Sequence, residues 1–392
     1  MVLFAHVSDT HLGASNFKLP EREQDFLDAF EQVVDKCLEK KVEFVVHSGD
    51  VFDVPKPRNR VLVFLVEQLK KLKNQGIPFF TIPGSHDVGV DGTFITVLEK
   101  VGLLTNLGNS RYFEQQGDKI LLKGEVFKNV FLAGVPGRRA GITEVYRNLE
   151  PVFQESIFKV FVFHHTVSDA NAFFSDITTS ILPKGFDYYA AGHWHKRFTT
   201  LFNNAPIVYP GSLENCDTKE MSYQEEKGFF FVNFDKGPSY GFEPVKSREI
   251  QWENVNCNAL TPEQVEKKCL ELMKKVENQP LLILKLKGIL SKGSRSEINR
   301  SRILKQAIGK GYLYAHTSIS DLSNPVDDVH VSVMEKSVQS IEREFLTKKG
   351  FKGDDLRLAE KIIETLGREM TPQEIQASQK SIVQEIEGLA GL

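Results

Sequence analysis

The sequence predicts an α/β fold: a two-sheet sandwich flanked by helices, then a small α/β capping domain and a C-terminal helical tail. Three observations predict it. Short apolar runs of strand length alternate with segments of helical period through the early part of the chain. Each of those strands runs into a loop carrying an Asp or a His, and open α/β sheets collect their ligands beyond strand ends. After Pro244-Val245-Lys246 the pattern stops and a new alternation of helix and strand begins.

The totals set the frame. A chain of 392 residues exceeds one ordinary core and suggests two or three units, here 1–246, 247–322 and 323–392. With 41% hydrophobic and 26% charged residues it has the composition of a soluble globular protein. A net charge of -3 excludes a protein coated in positive charge, so any binding to nucleic acid must rest on a local basic surface or on metal ions. Cys37, Cys216, Cys257 and Cys269 form no Cys-x-x-Cys pair and fit a reducing compartment. The chain opens on an apolar strand rather than a leader and has no apolar run long enough to span a bilayer. The expectation is therefore no membrane and a cytoplasmic location, on the nucleoid if the source is prokaryotic.

In order, residues 2–7 read as a buried strand that runs into Ser8-Asp9-Thr10-His11-Leu12-Gly13. Phe26, Leu27, Phe30, Val33, Val34, Cys37 and Leu38 recur at helical spacing over 21–41, with Pro20 placed to open the helix. A second strand, 44–47, leads into Ser48-Gly49-Asp50-Val51-Phe52-Asp53. A helix over 58–75 closes at Gly76, and a strand over 78–82 leads into Pro83-Gly84-Ser85-His86-Asp87. Further on, the pattern predicts a short helix at 93–101, a hairpin of strands 119–123 and 130–135, a helix over 141–156, and a strand at 160–163 ending in His164-His165. Residues 170–184 lack periodicity and read as a loop over the site. Tyr188 to Ala191 end another buried strand, Gly192 allows a sharp turn, and His193 and His195 leave on one face, near enough to ligate one ion or two adjacent ones. Strands at 197–202, 207–209, 228–234 and 241–245 then complete the second sheet.

Collected from these strand ends, Asp9, His11, Asp50, Ser85, His86, His164, His193 and His195 form a candidate two-metal set. A single such histidine is usually a hydrogen-bonded structural residue. Five successive blocks of acidic and imidazole groups are not explained that way.

Asp9-Thr10-His11, Gly49-Asp50, Gly84-Ser85-His86-Asp87, His164 and Gly192-His193-Trp194-His195 resemble, in order and spacing, the motifs of calcineurin-type metallophosphoesterases. Within that superfamily, the stretches 8–13 and 47–53 and Tyr209-Pro210-Gly211-Ser212-Leu213-Glu214 are similar to the SbcD-type, or meiotic-recombination-eleven, nuclease of double-strand-break repair. The resemblance implies a first metal on Asp9, His11 and His195, a second on His164 and His193, and Asp50 bridging both. It implies two divalent ions, manganese above all, and makes His86 the catalytic residue that stabilises the transition state or protonates the leaving oxygen, with Asp87 orienting its ring. The chain departs from the family at Ser85, where an Asn carbonyl normally ligates the second metal; a hydroxyl is shorter and weaker, which predicts looser binding there. It also has His165 where the nuclease often has Gln, a change expected to alter substrate contacts.

For residues 247–322, the pattern predicts a helix opened by Thr261-Pro262-Glu263-Gln264, a strand at 281–286, a helix over 296–308 and a strand at 312–317. Lys292, Arg295, Arg300, Arg302 and Lys305 cluster there, with Lys287 and Lys310 nearby. By the resemblance this is the domain that caps the active site and grips DNA by its phosphates, without sequence preference. Beyond Ser323-Asn324-Pro325, helices are expected over 333–345 and 354–367. A last one, opened by Thr371-Pro372-Gln373-Glu374, carries an apolar stripe of Ile375, Ile382, Val383 and Ile386. The resemblance makes this tail the dock for an SbcC-type, SMC-like ATPase and implies a homodimer. The expected function is a metal-dependent DNA exonuclease and endonuclease that processes broken ends. The alternatives are a DNA-binding scaffold with a weakened second metal site, and a small-molecule or cyclic-nucleotide phosphodiesterase.

Overall fold

The computed structural model describes residues 2–90, 92–137, 141–156, 158–235, 237–325 and 338–366. It divides into two units: Met1–Cys257 with Glu263–Gly288 and Ile298–Leu322, and Asn258–Pro262 with Ile289–Glu297 and the described residues from Ser323 on.

Two six-stranded sheets form the sandwich of the first unit. In one, Val2–Val7, Phe44–His47, Phe79–Thr81 and Thr105–Asn106 run parallel. In the other, Val130–Val135, Phe158–His164, Tyr188–Gly192 and Ala205–Tyr209 run parallel, with Phe198–Phe202 and Glu125–Phe127 antiparallel at the edges. Strand alternation explains the layering. Phe4, Phe44, Val46 and Phe80 of the first sheet face Val160, Val162, Tyr188 and Ala190 of the second in one buried cluster. The opposite faces, Ala5, Val7 and Val45 on one side and Phe161, Phe163 and Tyr189 on the other, lie under two outer cores. Rings seal the seam between sheets: Phe4 stands edge-on to Tyr188 at 5.7 Å, and Phe158 stacks on Phe234 at 4.5 Å. Each buried ring of this kind contributes roughly 1.5–3 kcal/mol of transfer free energy. His6, fully buried, joins the sheets by polar contacts instead, through Tyr188 Oη at 2.9 Å and Ser48 Oγ at 2.7 Å.

The helices Pro20–Lys40 and Asn59–Asn74 cover the first sheet with Phe26, Phe30, Val33, Val61, Leu65 and Leu69 buried. Pro20 opens the first of them, as its fixed φ and missing N–H favour. Thr93 caps the short helix Phe94–Lys100, its hydroxyl accepting from Ile95 N at 3.2 Å.

Three expectations from the sequence are corrected. The strands Gly228–Phe234 and Pro238–Pro244 belong to the first sheet, where Gly228–Phe234 pairs antiparallel with Val2–Val7 in the register Phe4↔Val232. Lys119–Leu122 and Val130–Val135 are not a hairpin. The former pairs with Phe113–Gln116 and Leu149–Pro151 in a separate three-stranded sheet, whereas the latter lies in the second large sheet. The helix expected over 141–156 is one short helix, Ile142–Asn148, followed by the strand Leu149–Pro151, where Pro151 cannot continue a helix.

Beyond the sandwich, Ile250–Asn256, Leu281–Ile289 and Tyr314–Ser323 form a three-stranded sheet with the helices Pro262–Glu271 and Arg300–Gly309. The strand Ile250–Asn256, mostly half-buried and rich in polar residues, carries no apolar run to betray it in the sequence. Met221, Leu281 and Ile283 share a small core joined by Phe17, Ile250, Trp252 and Tyr314. In the second unit, helices Val338–Lys348 and Gly353–Leu366 bring Leu346 and Leu356 out of solvent and place Arg343 Nε 3.6 Å from Glu360 Oε1. The capping box at Thr371 and the stripe Ile375, Ile382, Val383 and Ile386 lie outside the described residues.

Candidate metal centre

All of the strand-end groups except Ser85 meet in donor sets at the C-terminal edges of the parallel strands, His86 only in a rim group with His11 and Asp53. Oxygen and nitrogen atoms of Asp9, His11, Asp50 and His195 lie within 4.8 Å of one another, as do those of Asp50, His164 and His193. Asp50 is in both groups.

The backbone is bent to achieve this. Asp9 (φ 51°), His11 (42°), Asp50 (56°) and His193 (81°) all occupy left-handed space, at a cost of roughly 1–3 kcal/mol each. His193 is therefore not in the extended backbone its spacing from His195 predicts, and the two imidazoles enter different groups. Cross-loop bonds hold these turns: Asp9 N–H donates to Gly49 O at 3.1 Å and His11 N–H to Asp50 O at 3.1 Å. Close approach explains two glycines. A Cβ on Gly84 would sit 2.2 Å from Asp50 N, and one on Gly192 2.2 Å from Ser48 O.

The donors also turn toward one another across a shared space. His11 Nε2 lies 3.0 Å from His195 Nε2, and His195 Nε2 3.6 Å from Asp9 Oδ1. His164 gives its Nδ1 to Ser48 O at 2.7 Å and turns Nε2 to within 3.0 Å of Asp50 Oδ2, where that buried nitrogen makes no hydrogen bond. Buried polar atoms without hydrogen bonds are costly, and nitrogen and carboxylate donors converging on shared space fit divalent cations. Electrostatics agree. Burial alone would lower the His164 pKa, but the Asp50 carboxylate outweighs it and raises the group to about 9. Burial would raise Asp50, yet His164 and His11 pull it well below the carboxylate range. For His195, burial is likewise outweighed, by Cys216, Glu220 and Asp9, and its pKa is raised. A divalent cation answers the same negative potential without a proton.

The expected residues fall into place unevenly. Ser85 Oγ is 3.4 Å from Asp50 Oδ2, half-buried beside the second group. His86 is exposed at the rim with its ring 4.8 Å from that of His11; its N–H donates to Asp50 Oδ1 at 2.7 Å and its Nδ1 to Asp53 O at 2.8 Å. Asp87 does not orient the His86 ring, which corrects the expectation. Its buried carboxylate instead accepts from Val51 N, Phe52 N and Gly84 N at 3.1, 2.8 and 2.9 Å, fastening the two loops around Asp50. Burial and the Asp50 charge push its pKa up to about 6, against those three bonds. His165 is buried with Nδ1 3.2 Å from Tyr146 Oη. Lys292, Arg295, Arg300, Arg302 and Lys305 are all exposed, the first two in the second unit and the rest in the first. Arg302 Nη1 is 3.6 Å from Glu266 Oε2.

Sequence reasoning missed the supports behind the donors. Glu220 Oε1 is 2.7 Å from His195 Nδ1, while its other oxygen takes Ser212 Oγ at 2.9 Å and Lys227 Nζ at 3.2 Å. Burial opposes its ionisation, but His195 and Lys227 prevail and hold its pKa down to about 2. Asp53 Oδ1 lies 3.3 Å from His11 Nδ1, and Asp176 Oδ2 3.6 Å from His193 Nε2. Asp53 lies within the 47–53 stretch; Glu220 and Asp176 carry no signal beyond their charge.

A strand-end cluster of this kind, on a sandwich of two mixed sheets, defines a class, and the sequence comparison agrees: the chain belongs to the calcineurin-like phosphoesterase family, whose profile matches residues 2–197. Along nearly its full length the chain is also similar to the DNA double-strand break repair protein Mre11 of Saccharolobus solfataricus, at 27% identity over 96% of this chain and 98% of the relative. It is 29% identical to the Mre11 of Archaeoglobus fulgidus over 84% of this chain and 76% of the relative. With the Mre11 of Sulfurisphaera tokodaii it shares 31% identity over 57% of each chain.

Proposed function

We propose that the chain is a metal-dependent DNA repair nuclease of the Mre11 and SbcD kind, an exonuclease and endonuclease hydrolysing phosphodiesters at double-strand-break ends. The observation that carries the two-metal reading is the membership of the Asp50 carboxylate in both donor groups. Asp9, His11 and His195 would hold the first cation, His164 and His193 the second with Ser85 beside them, and Asp50 would bridge. When bound, the pair would neutralise the phosphodiester and make an attacking water more acidic; manganese suits the mixed nitrogen and oxygen donors.

The chain's own residues do the rest. Glu220 and the Ser48 carbonyl fix the ring orientations of His195 and His164. Asp87 holds the loops that aim Asp50. With Nδ1 given to the Asp53 carbonyl, His86 keeps Nε2 as the atom that passes a proton to the leaving oxygen. The capping region, taken as 247–322, offers Lys292, Arg295, Arg300, Arg302 and Lys305 to DNA phosphates. The helical tail is the dock for an SMC-like ATPase, and the working unit is a homodimer on DNA in the cytoplasm. No described helix is long and apolar enough to cross a membrane.

The test is digestion of end-labelled duplex DNA with manganese, comparing the natural chain with His86→Ala. The expected outcome is cutting by the former, reduced about 10²–10⁴-fold in the variant with metal content unchanged. Absence of manganese-dependent cutting by the natural chain would overturn the proposal.

A further inference from the structure

Cys216 adjoins the proposed first cation position. Its Sγ lies within 4.8 Å of ring nitrogens of both His11 and His195, the two imidazoles that also converge with Asp9 and Asp50. The placement is built rather than incidental. Glu220 bonds His195 Nδ1 through one oxygen and accepts the Cys216 N–H at 3.2 Å through the other, so one carboxylate fixes the ring and the backbone that carries the sulfur. Ser212 N–H donates to His195 O at 3.2 Å, tying the start of the same segment to the same histidine. The sulfur lies a distant 3.7 Å from Glu214 O and also engages the His195 ring. No other cysteine joins any donor group among the described residues: Cys37, Cys257 and Cys269 are buried elsewhere.

We propose that Cys216 is a soft, additional ligand of the first position, making with His11 and His195 a nitrogen and sulfur face that selects thiophilic divalent ions such as zinc, cobalt or cadmium over manganese. The inference rests on the two-metal reading above. Thiolate is the ligand type that favours zinc, whereas carboxylate and water suit manganese, so this position has two faces of different chemistry. Binding exchanges the sulfur–hydrogen bond for a metal–sulfur bond and releases one proton to solvent. Manganese would be held by the oxygen face without engaging the sulfur.

The experiment titrates the full chain, stripped of metal and kept reduced, with cobalt. Absorption is followed in the visible, where ligand-field bands report any nitrogen and oxygen site, and in the near ultraviolet, where thiolate-to-cobalt charge transfer reports sulfur. The natural chain is expected to show both, with proton release; Cys216→Ser is expected to keep the visible bands and lose the charge transfer. Zinc affinity in competition with a chromophoric chelator should fall about 10-fold or more in Cys216→Ser, while manganese affinity changes less than about 2-fold. Cys216→Ala should behave as Cys216→Ser, and thermal melting of all three proteins verifies the fold. Visible bands without charge transfer in the natural chain, or charge transfer surviving in both variants, would overturn the proposal and leave the metal centre standing. Absence of visible bands in every protein would instead remove the metal centre on which it depends.

Discussion

The two donor groups proposed to hold cations share one carboxylate but are backed very differently. Around the first, His195 is pinned by Glu220 at 2.7 Å, while Asp53 lies 3.3 Å from His11 Nδ1 without hydrogen-bonding it. Around the second, His164 has the Ser48 carbonyl at 2.7 Å, whereas His193 is about a third exposed and has Asp176 only at 3.6 Å. Ser85 stands 3.4 Å from Asp50, with a short hydroxyl where a longer donor would reach further. A ligand whose ring is already fixed loses little freedom on binding, so the first position should hold its ion tightly and the second should exchange it.

The sharpest way to break this comparison is to remove what the positions share. Asp50→Ala should empty both and lower DNA cleavage by about 1,000-fold or more, a loss on the scale of removing a central electrostatic group; metal analysis of the purified variant and its cleavage rate check it. Glu220→Gln should act on one side only. First-position affinity is expected to fall about 10–100-fold with the second unchanged, as read by calorimetry with manganese. Ser85→Asn should narrow the difference from the other side, tightening the second position by about 10-fold, or about 1.4 kcal/mol. Unchanged affinity in that variant would show that Ser85 is not the weak point.

The smallest effect on cleavage is expected from His6, which touches neither position. Burial, aided by the neighbouring His47, lowers its pKa to about 3 from 6.5 in the unfolded chain. Between those values the unfolded chain binds the extra proton, so stability present above pH 6.5 is lost as the pH falls toward 3. His6→Gln should lessen the fall in stability of the metal-free protein across that window, the likewise depressed His47 supplying what remains, measured by urea unfolding at successive pH values, with cleavage at neutral pH little changed.

What could be read from the sequence follows from how local each feature is. Asp9, His11, Asp50, His164, His193 and His195 were legible because each sits within a few residues of an apolar strand, and a parallel sheet brings such strand ends together. The supports were not. Glu220 reaches His195 across 25 positions of chain, from a four-residue helix, Thr218–Met221, that has no periodicity to mark it. Asp87 was legible as a residue of the site but misread in its role, since adjacency to His86 in sequence says nothing of where a buried carboxylate finds N–H groups. Elements fared alike. The helices Pro20–Lys40 and Asn59–Asn74 were plain from their period, while the partner of each strand, a long-range choice, was misjudged for Lys119–Leu122 and for Gly228–Phe234.

The pairing of Val2–Val7 with Gly228–Phe234 has a consequence for biosynthesis. Val2–Val7 leaves the ribosome well before Gly228–Phe234 and keeps one flank unsatisfied until that strand, opposite it in register, has been made, so the first large sheet cannot be finished before then. Until then the nascent chain exposes a sticky apolar margin, and a message cut short before that point would yield a product prone to aggregate rather than a smaller working enzyme.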